Sequence, residues 1–214
     1  MRDGGWVQRA VSRTGTRRGL AALAAVLFAV GVAGLLAAAD WTARTGELGQ
    51  LLDRIEASEQ EMRAANDDFR ALMAAGEPGG VQAPQTRLAL VEHAESAQEA
   101  IAAAGLEVRD TPVLPWHNAL RRAQQDYLAH NAAWVQHWQR VGQDPSQAFV
   151  EDLAIGVTWT EATDSVWAAL PFPEPPGVAP RVHTIFGPAE GEPSDGDSIS
   201  ARPAERSGLS DRLA

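Results

Sequence analysis

The sequence contains no cysteine and no lysine. The first absence excludes disulfides, thiolate metal sites and a lipidated N-terminal cysteine. It leaves the redox compartment open, because a chain without thiols is indifferent to it. The second absence makes arginine the only basic residue besides histidine. Catalytic signatures are lacking too. The glycines around residues 76–80 are followed by no Lys-Ser/Thr pair, so they form a turn rather than a phosphate loop. The acidic pairs Asp67-Asp68 and Glu151-Asp152 read as solvated faces or helix-start charges, not as a general acid and base. No nucleophile stands in a recognisable relation to a base. The expectation is therefore a protein that is not an enzyme and binds no cofactor.

One stretch lacks charge altogether. Residues 19–39 hold neither a charged residue nor a proline. As a helix they reach about 31 Å, close to the thickness of a bilayer's hydrocarbon core. That exceeds the apolar region of a signal peptide, about 7–15 residues. Trp41 follows, a residue suited to the membrane–water interface. Length thus favours a retained transmembrane helix that places residues 19–39 in lipid. Cleavage stays open, because Ala37-Ala38-Ala39 is an acceptable processing site and Thr16-Arg17-Arg18 resembles a twin-arginine export signal.

Charge around the stretch is lopsided. Residues 1–18 carry a net +4, residues 40–171 a net −11 and residues 172–214 a net −3. A basic flank before a span and an acidic one after it predict a cytoplasmic N-terminus and an extracytoplasmic C-terminal domain. The acidic remainder repels phosphate backbones, so nucleic acid is not an expected partner. Within the span, Ala21, Ala25, Ala29, Ala33 and Ala37 form a small-residue stripe that could let two copies approach. Twelve of the 21 residues are Ala or Gly, so such a stripe also arises by chance.

Beyond the span the pattern is helical and interrupted. Trp41, Leu48, Ile55, Met62 and Phe69 recur every seven residues, with Leu51, Ser58, Ala65 and Leu72 three further on. This is a coiled-coil-like seam over four heptads. It ends at Gly76, Pro78, Gly79 and Gly80. A second helix is expected over residues 84–104, with Leu90, Ala94, Ala97, Ile101 and Ala104 inward and Gly105 as its cap. After a linker with Pro112 and Pro115, a third spans residues 115–141 through Leu120, Tyr127, Trp134 and Val141. A fourth opens at Asp144-Pro145-Ser146-Gln147, an N-cap followed by proline and a capping-box glutamine. It runs through Phe149, Leu153, Thr160, Thr163 and Trp167 to Leu170. The β-branched run at Val157-Thr158 is kept helical, since no partner strand is visible.

The expected fold is all-α: a basic segment (1–18), a single transmembrane helix (19–39), an antiparallel bundle of about four helices (40–171) and a disordered, acidic, proline-rich tail (172–214). Eight of the 13 prolines fall from residue 171 onward. The apolar spot at residues 182–186 reads more readily as part of the disordered tail than as a docking segment.

Candidate ligand chemistry gathers in the second half. Tyr127, Trp134, Trp138, Trp159 and Trp167 could line an aromatic pocket for a sugar, a planar ligand or a cation. Filling a core whose other half is alanine-rich accounts for the same rings. His130 and His137 are seven apart, not the four usual for a metal pair on a helix. They read as partly exposed histidines beside the seam, and no metal is expected. The functional expectation is a non-catalytic, single-pass cell-membrane protein of the cell envelope. Its helical domain would contact an unknown protein or itself. The alternatives are a sensor-like, small-ligand-binding module or, after cleavage, a secreted helical protein.

Overall fold

The computed structural model describes residues 5–76 and 80–187, with side chains from residue 20 onward. Five α-helices and no strand occur among the described residues: α1 (Gly5–Ala75), α2 (Pro84–Arg109), α3 (Asn118–Gln143), α4 (Leu153–Ala169) and α5 (Ala179–Phe186). Short 3-10 turns at Gly80–Gln82 and Pro145–Phe149 help connect them. Helices α1 to α4 run up, down, up and down, each packed on its chain neighbour.

Helix α1 is 71 residues long and unbroken, about 106 Å at the normal helical rise. It is long and apolar enough to cross a membrane. Every residue from 20 to 39 is exposed, including the alanine stripe Ala21, Ala25, Ala29, Ala33 and Ala37. From Leu48 onward the same helix becomes a wall of the bundle. The expected seam is the buried face: Leu48, Leu51, Ile55, Ser58, Met62, Ala65 and Phe69 are all buried, together with Leu52. The helix stops at Ala75, just before Gly76. There a side chain on Gly76 would run into Thr86 at the start of α2, with a Cβ 2.7 Å from Thr86 Cγ2.

Two apolar clusters divide the interior along the bundle axis. The cluster nearer the apolar segment joins Leu48, Leu52 and Ile55 to Val108, Leu120, Tyr127 and Val166. The distal one joins Met62 and Phe69 to Leu90, Ile101, Trp138 and Val141. Alanines 94 and 97 let α2 lie close in the distal cluster. Gln124 of α3 donates to the carbonyls of Val108 (2.8 Å), Arg109 (3.1 Å) and Thr111 (3.0 Å). It thereby satisfies acceptors that the end of α2 leaves without intrahelical partners.

Several expectations are corrected. Gly105 does not cap α2, which continues for another turn to Arg109. The expected fourth helix is split. Asp144 caps only a 3-10 turn, accepting from Ser146 N, and α4 starts afresh at Leu153 with Asp152 accepting from Ala154 N. The buried face of α4 is Ala162, Ser165, Val166 and Ala169, whereas Phe149 and Leu153 are exposed.

A further correction concerns the proline-rich end. Residues 172–187 are folded, and the remainder of the expected disordered tail, 188–214, lies outside the described residues. Helix α5 carries Pro180 in its first turn, where the missing N–H costs no hydrogen bond. It touches both α1 and α4. Val182 and Phe186 enter the proximal cluster, and the Phe186 ring stacks on Trp159 with centroids 5.0 Å apart. Arg181 reaches back to Asp53 (2.8 Å) and Glu56 (3.1 Å) on α1. Val182→Ala should therefore lower bundle stability by about 2 kcal/mol. It should also expose the 170–187 segment to protease. An unchanged unfolding midpoint would mean that α5 contributes nothing to the fold.

Candidate functional site

Three of the five expected pocket residues, Tyr127, Trp134 and Trp159, flank the His130 ring with centroids 5.9, 6.4 and 5.0 Å away, whereas Trp138 and Trp167 lie elsewhere. Trp138 lies in the distal cluster, with edge contacts to Phe69 and His93. Tyr127 is fully buried in the proximal cluster. Trp159 is covered by Phe186, and Trp167 meets the His183 ring edge-on at 4.5 Å. Trp134 leans on His130 and donates its indole N–H to His130 Nε2 at 3.1 Å. Each of the five rings packs on a histidine or phenylalanine ring rather than lining an open cavity. The surface clefts have other linings, including one of about 470 Å³ between α3 and α4 among Asn118, Arg122, Asp164 and Ser165. Another of about 540 Å³ lies between α1 and the end of α2, among Asp53, Arg54, Glu107 and Asp110. A third, of about 300 Å³, continues it over Ala57, Ala100 and Ala104 and shares the Arg54–Glu107 ion pair.

Chemistry-bearing side chains converge instead at two levels. The first is a polar layer between the two apolar clusters. Asn131 of α3 is buried and donates to Ser58 Oγ (3.2 Å) on α1 and to the Ile101 carbonyl (3.0 Å) on α2. Tyr127 donates its hydroxyl to Glu59 at 3.0 Å. His130 Nδ1 lies 3.3 Å from Thr158 Oγ1 on α4. Because Trp134 donates to His130 Nε2, that nitrogen is the unprotonated one and Nδ1 carries the proton. Burial pushes His130 down to about 4, only partly offset by a bond to the Ile155 backbone. Burial also raises Glu59, against the opposing bond from Tyr127. Tyr127 is raised far above its usual value by burial and by the Glu59 charge. Each helix from α1 to α4 contributes to this layer, so a register slip of any one would strand buried polar groups.

His137 is buried as well, and burial lowers it while Asp152 works in the opposite direction. The expectation of partly exposed histidines is corrected for both His130 and His137. Their seam position faces the packed α3–α4 contact rather than solvent. No group of three or more His, Asp or Glu side chains among the described residues is arranged to hold a metal ion.

The second level lies at the base of the bundle, beside the end of the apolar segment. His117, in the N-cap position of α3, is buried. Its Nδ1 is 2.7 Å from Glu47 Oε2, and its Nε2 is 3.0 Å from Asp40 Oδ1. Carboxylates only accept, so an imidazole bonded to one on each nitrogen is in its doubly protonated form. Burial alone would depress His117, but the bonds and charges of Glu47 and Asp40 outweigh it and the net shift is upward. Asp40 is held down chiefly by the His117 bond, which outweighs desolvation, with Arg44 adding to it. Leu114 N–H donates to the same Glu47 oxygen at 3.2 Å. About 100° further round α1, Trp41 Nε1–H donates to the Pro173 carbonyl at 2.9 Å. The α2–α3 and α4–α5 connections are thus both tied to α1 within two turns of residue 39.

Sequence reasoning missed this base because its partners lie 70 or more positions apart. The only local signal was the polar His117 between a proline-rich linker and a helix start. No protein family, curated protein or solved structure matches this chain.

Proposed function

We propose that this chain is a non-catalytic, single-pass protein of the cell membrane. It crosses once through residues 19–39, with its N-terminus in the cytoplasm. The α1–α5 bundle stands outside as a cell-envelope module that contacts another protein or a second copy of itself. The observation that carries this reading is the state of α1. Its segment from 20 to 39 is apolar and wholly exposed, yet the same unbroken helix supplies the core face from Leu48 to Phe69. An uncovered apolar rod of that length needs lipid or another helix around it. A cleaved signal has no call to continue in register into a folded core. The alternative of an aromatic ligand pocket is less favoured because histidine and phenylalanine rings already occupy the faces and edges of the candidate rings.

The surface offers contact features suited to a protein partner. Leu153 and Val157, one turn apart on α4, are exposed, as are Phe149 and Val150 just before them. The row starts at Phe149, beside Phe69 in the distal half of the bundle, and descends α4 to Val157 at the level of the polar layer.

The test is intact mass and N-terminal identity of the protein from fractionated cells, with external protease added before lysis. The expected result is a full-length chain in the membrane fraction whose bundle is cleaved from outside. A soluble chain beginning at Asp40 would replace this reading with a secreted helical protein. For the contact role, crosslinking in the intact membrane should yield a discrete adduct that Leu153→Asp with Val157→Asp removes. An adduct untouched by that pair would move the contact elsewhere, and none at all would refute the role.

A further inference from the structure

We propose that the base of the bundle is itself a membrane-contact surface, in which Trp116 and Phe172 enter the headgroup region of the bilayer that α1 crosses. The inference rests on the membrane-anchored reading and adds a second attachment to it. The argument begins with level. Asp40 is the first residue after the apolar stretch, and His117 is bonded to it at 3.0 Å. Trp41 is the next residue, and it is bonded to the Pro173 carbonyl at 2.9 Å. Two separate connections of the bundle are therefore pinned to the first turn of α1 beyond the span. Each carries an aromatic residue beside the pinned one. Trp116 precedes His117 and is 63% exposed, and Phe172 precedes Pro173 and is 94% exposed.

These exposures run against the rest of the domain. Tyr127, Trp138, Phe69 and Phe186 are buried. Phe149 is the other strongly exposed ring among the described residues of the bundle, and it lies at the opposite end. Water is a poor environment for a bare phenyl ring, whereas the bilayer interface favours tryptophan and accommodates phenylalanine. The tethers also make the presentation rigid. The His117 clamp fixes the backbone next to Trp116, and Glu47 holds Leu114 on its other side. Little ordering remains to oppose insertion. The net charge of −11 over residues 40–171 disfavours an anionic surface, so the fitting partner is a zwitterionic lipid interface.

The full-length chain has no native cysteine, so single-cysteine variants carry one label each. Trp116→Cys and Phe172→Cys, spin-labelled and reconstituted in phosphatidylcholine vesicles, report depth through the ratio of oxygen to nickel-chelate accessibility. Leu27→Cys is the reference within the span, and Leu153→Cys the reference at the distal end. The expected result is a ratio at 116 and 172 severalfold above that at 153. A lipid signature at 27 with water-like ratios at 116 and 172 overturns this proposal and leaves the anchor standing. A water-like ratio at 27 overturns the anchor and this proposal with it. A label at Glu174→Cys, beside the intact ring, gives a second reading. It should report interfacial depth and move outward when Phe172→Ala is added. No movement would mean that the ring contributes no attachment.

Discussion

Gly105→Ala should destabilise the bundle by about 4 kcal/mol. Gly105 lies inside α2, not at its end. A Cβ there would fall well inside contact distance of Asn131 Oδ1 and 2.8 Å from Asn131 Cγ. A flexible side chain could swing aside, but this amide is short, buried and bonded to Ser58 Oγ and the Ile101 carbonyl. Displacing it strips the buried Asn131 amide and Ser58 Oγ of their mutual bond and the Ile101 carbonyl of its second donor. Each such group costs about 1–3 kcal/mol, in addition to the overpacking itself. Urea unfolding of the full chain in micelles, followed by tryptophan fluorescence, measures the loss. The Asn131→Ala background provides the control. There the space is free, and Gly105→Ala should cost little or even gain slightly from its helix propensity. Equal cost in both backgrounds would refute the steric account.

The second large effect is loss of stability in mild acid. His130 is neutral in the folded bundle, with its pKa pushed down to about 4 by burial. In the unfolded chain it titrates near the usual value of about 6.5. Above that pH neither state binds the proton, and His130 contributes no penalty. As pH falls, the unfolded state binds a proton that the folded state refuses, so stability drops until the folded group also titrates. The window is about pH 6.5 to 4, and the loss approaches about 3 kcal/mol. His137, also lowered by burial, acts in the same direction. Glu59, raised by burial, opposes them, since the folded state takes up its proton more readily. His117 has the reverse dependence from His130. Its pKa is raised in the fold, so its contribution is complete below about pH 6.5 and fades as pH rises through the folded value. Unfolding midpoints measured from pH 8 to pH 4 should fall, and His130→Gln should flatten the decline. A slope unchanged by that substitution would place the titration elsewhere.

Both effects originate in parts of the molecule that were hard to read in the chain. The α1 seam was legible because large apolar residues recur at heptad spacing and face one continuous wall. Leu48, Ile55, Met62 and Phe69 are buried as the spacing requires. The existence of four bundle helices followed from the breakers between them. The face of α4 was misread because its inward positions are small, Ala162, Ser165 and Ala169, while its bulky Leu153 and Val157 point outward. Hydrophobic periodicity weights size, and here size is on the wrong side. Helix α5 was concealed by composition. Prolines 173, 175, 176 and 180 resemble a disordered linker, although Pro180 occupies the one helical turn that tolerates it. Gly105 resembled a cap because a glycine after an apolar run often is one, and its partner Asn131 lies on another helix. The polar layer and the base clamp join residues far apart in sequence, which no local pattern reports.

The continuity of α1 also has a mechanical consequence. A domain attached by a flexible linker samples many orientations, whereas one whose wall is the prolongation of a span inherits that span's angle. From residue 39 to Ala75 the helix reaches about 54 Å. A tilt of about 20°, common for single spans, would carry the far end sideways by about 18 Å. In the anchored state a small change in bilayer thickness would thus be magnified at the exposed Phe149 and Leu153, with the tethers at Asp40 and Trp41 as the fulcrum.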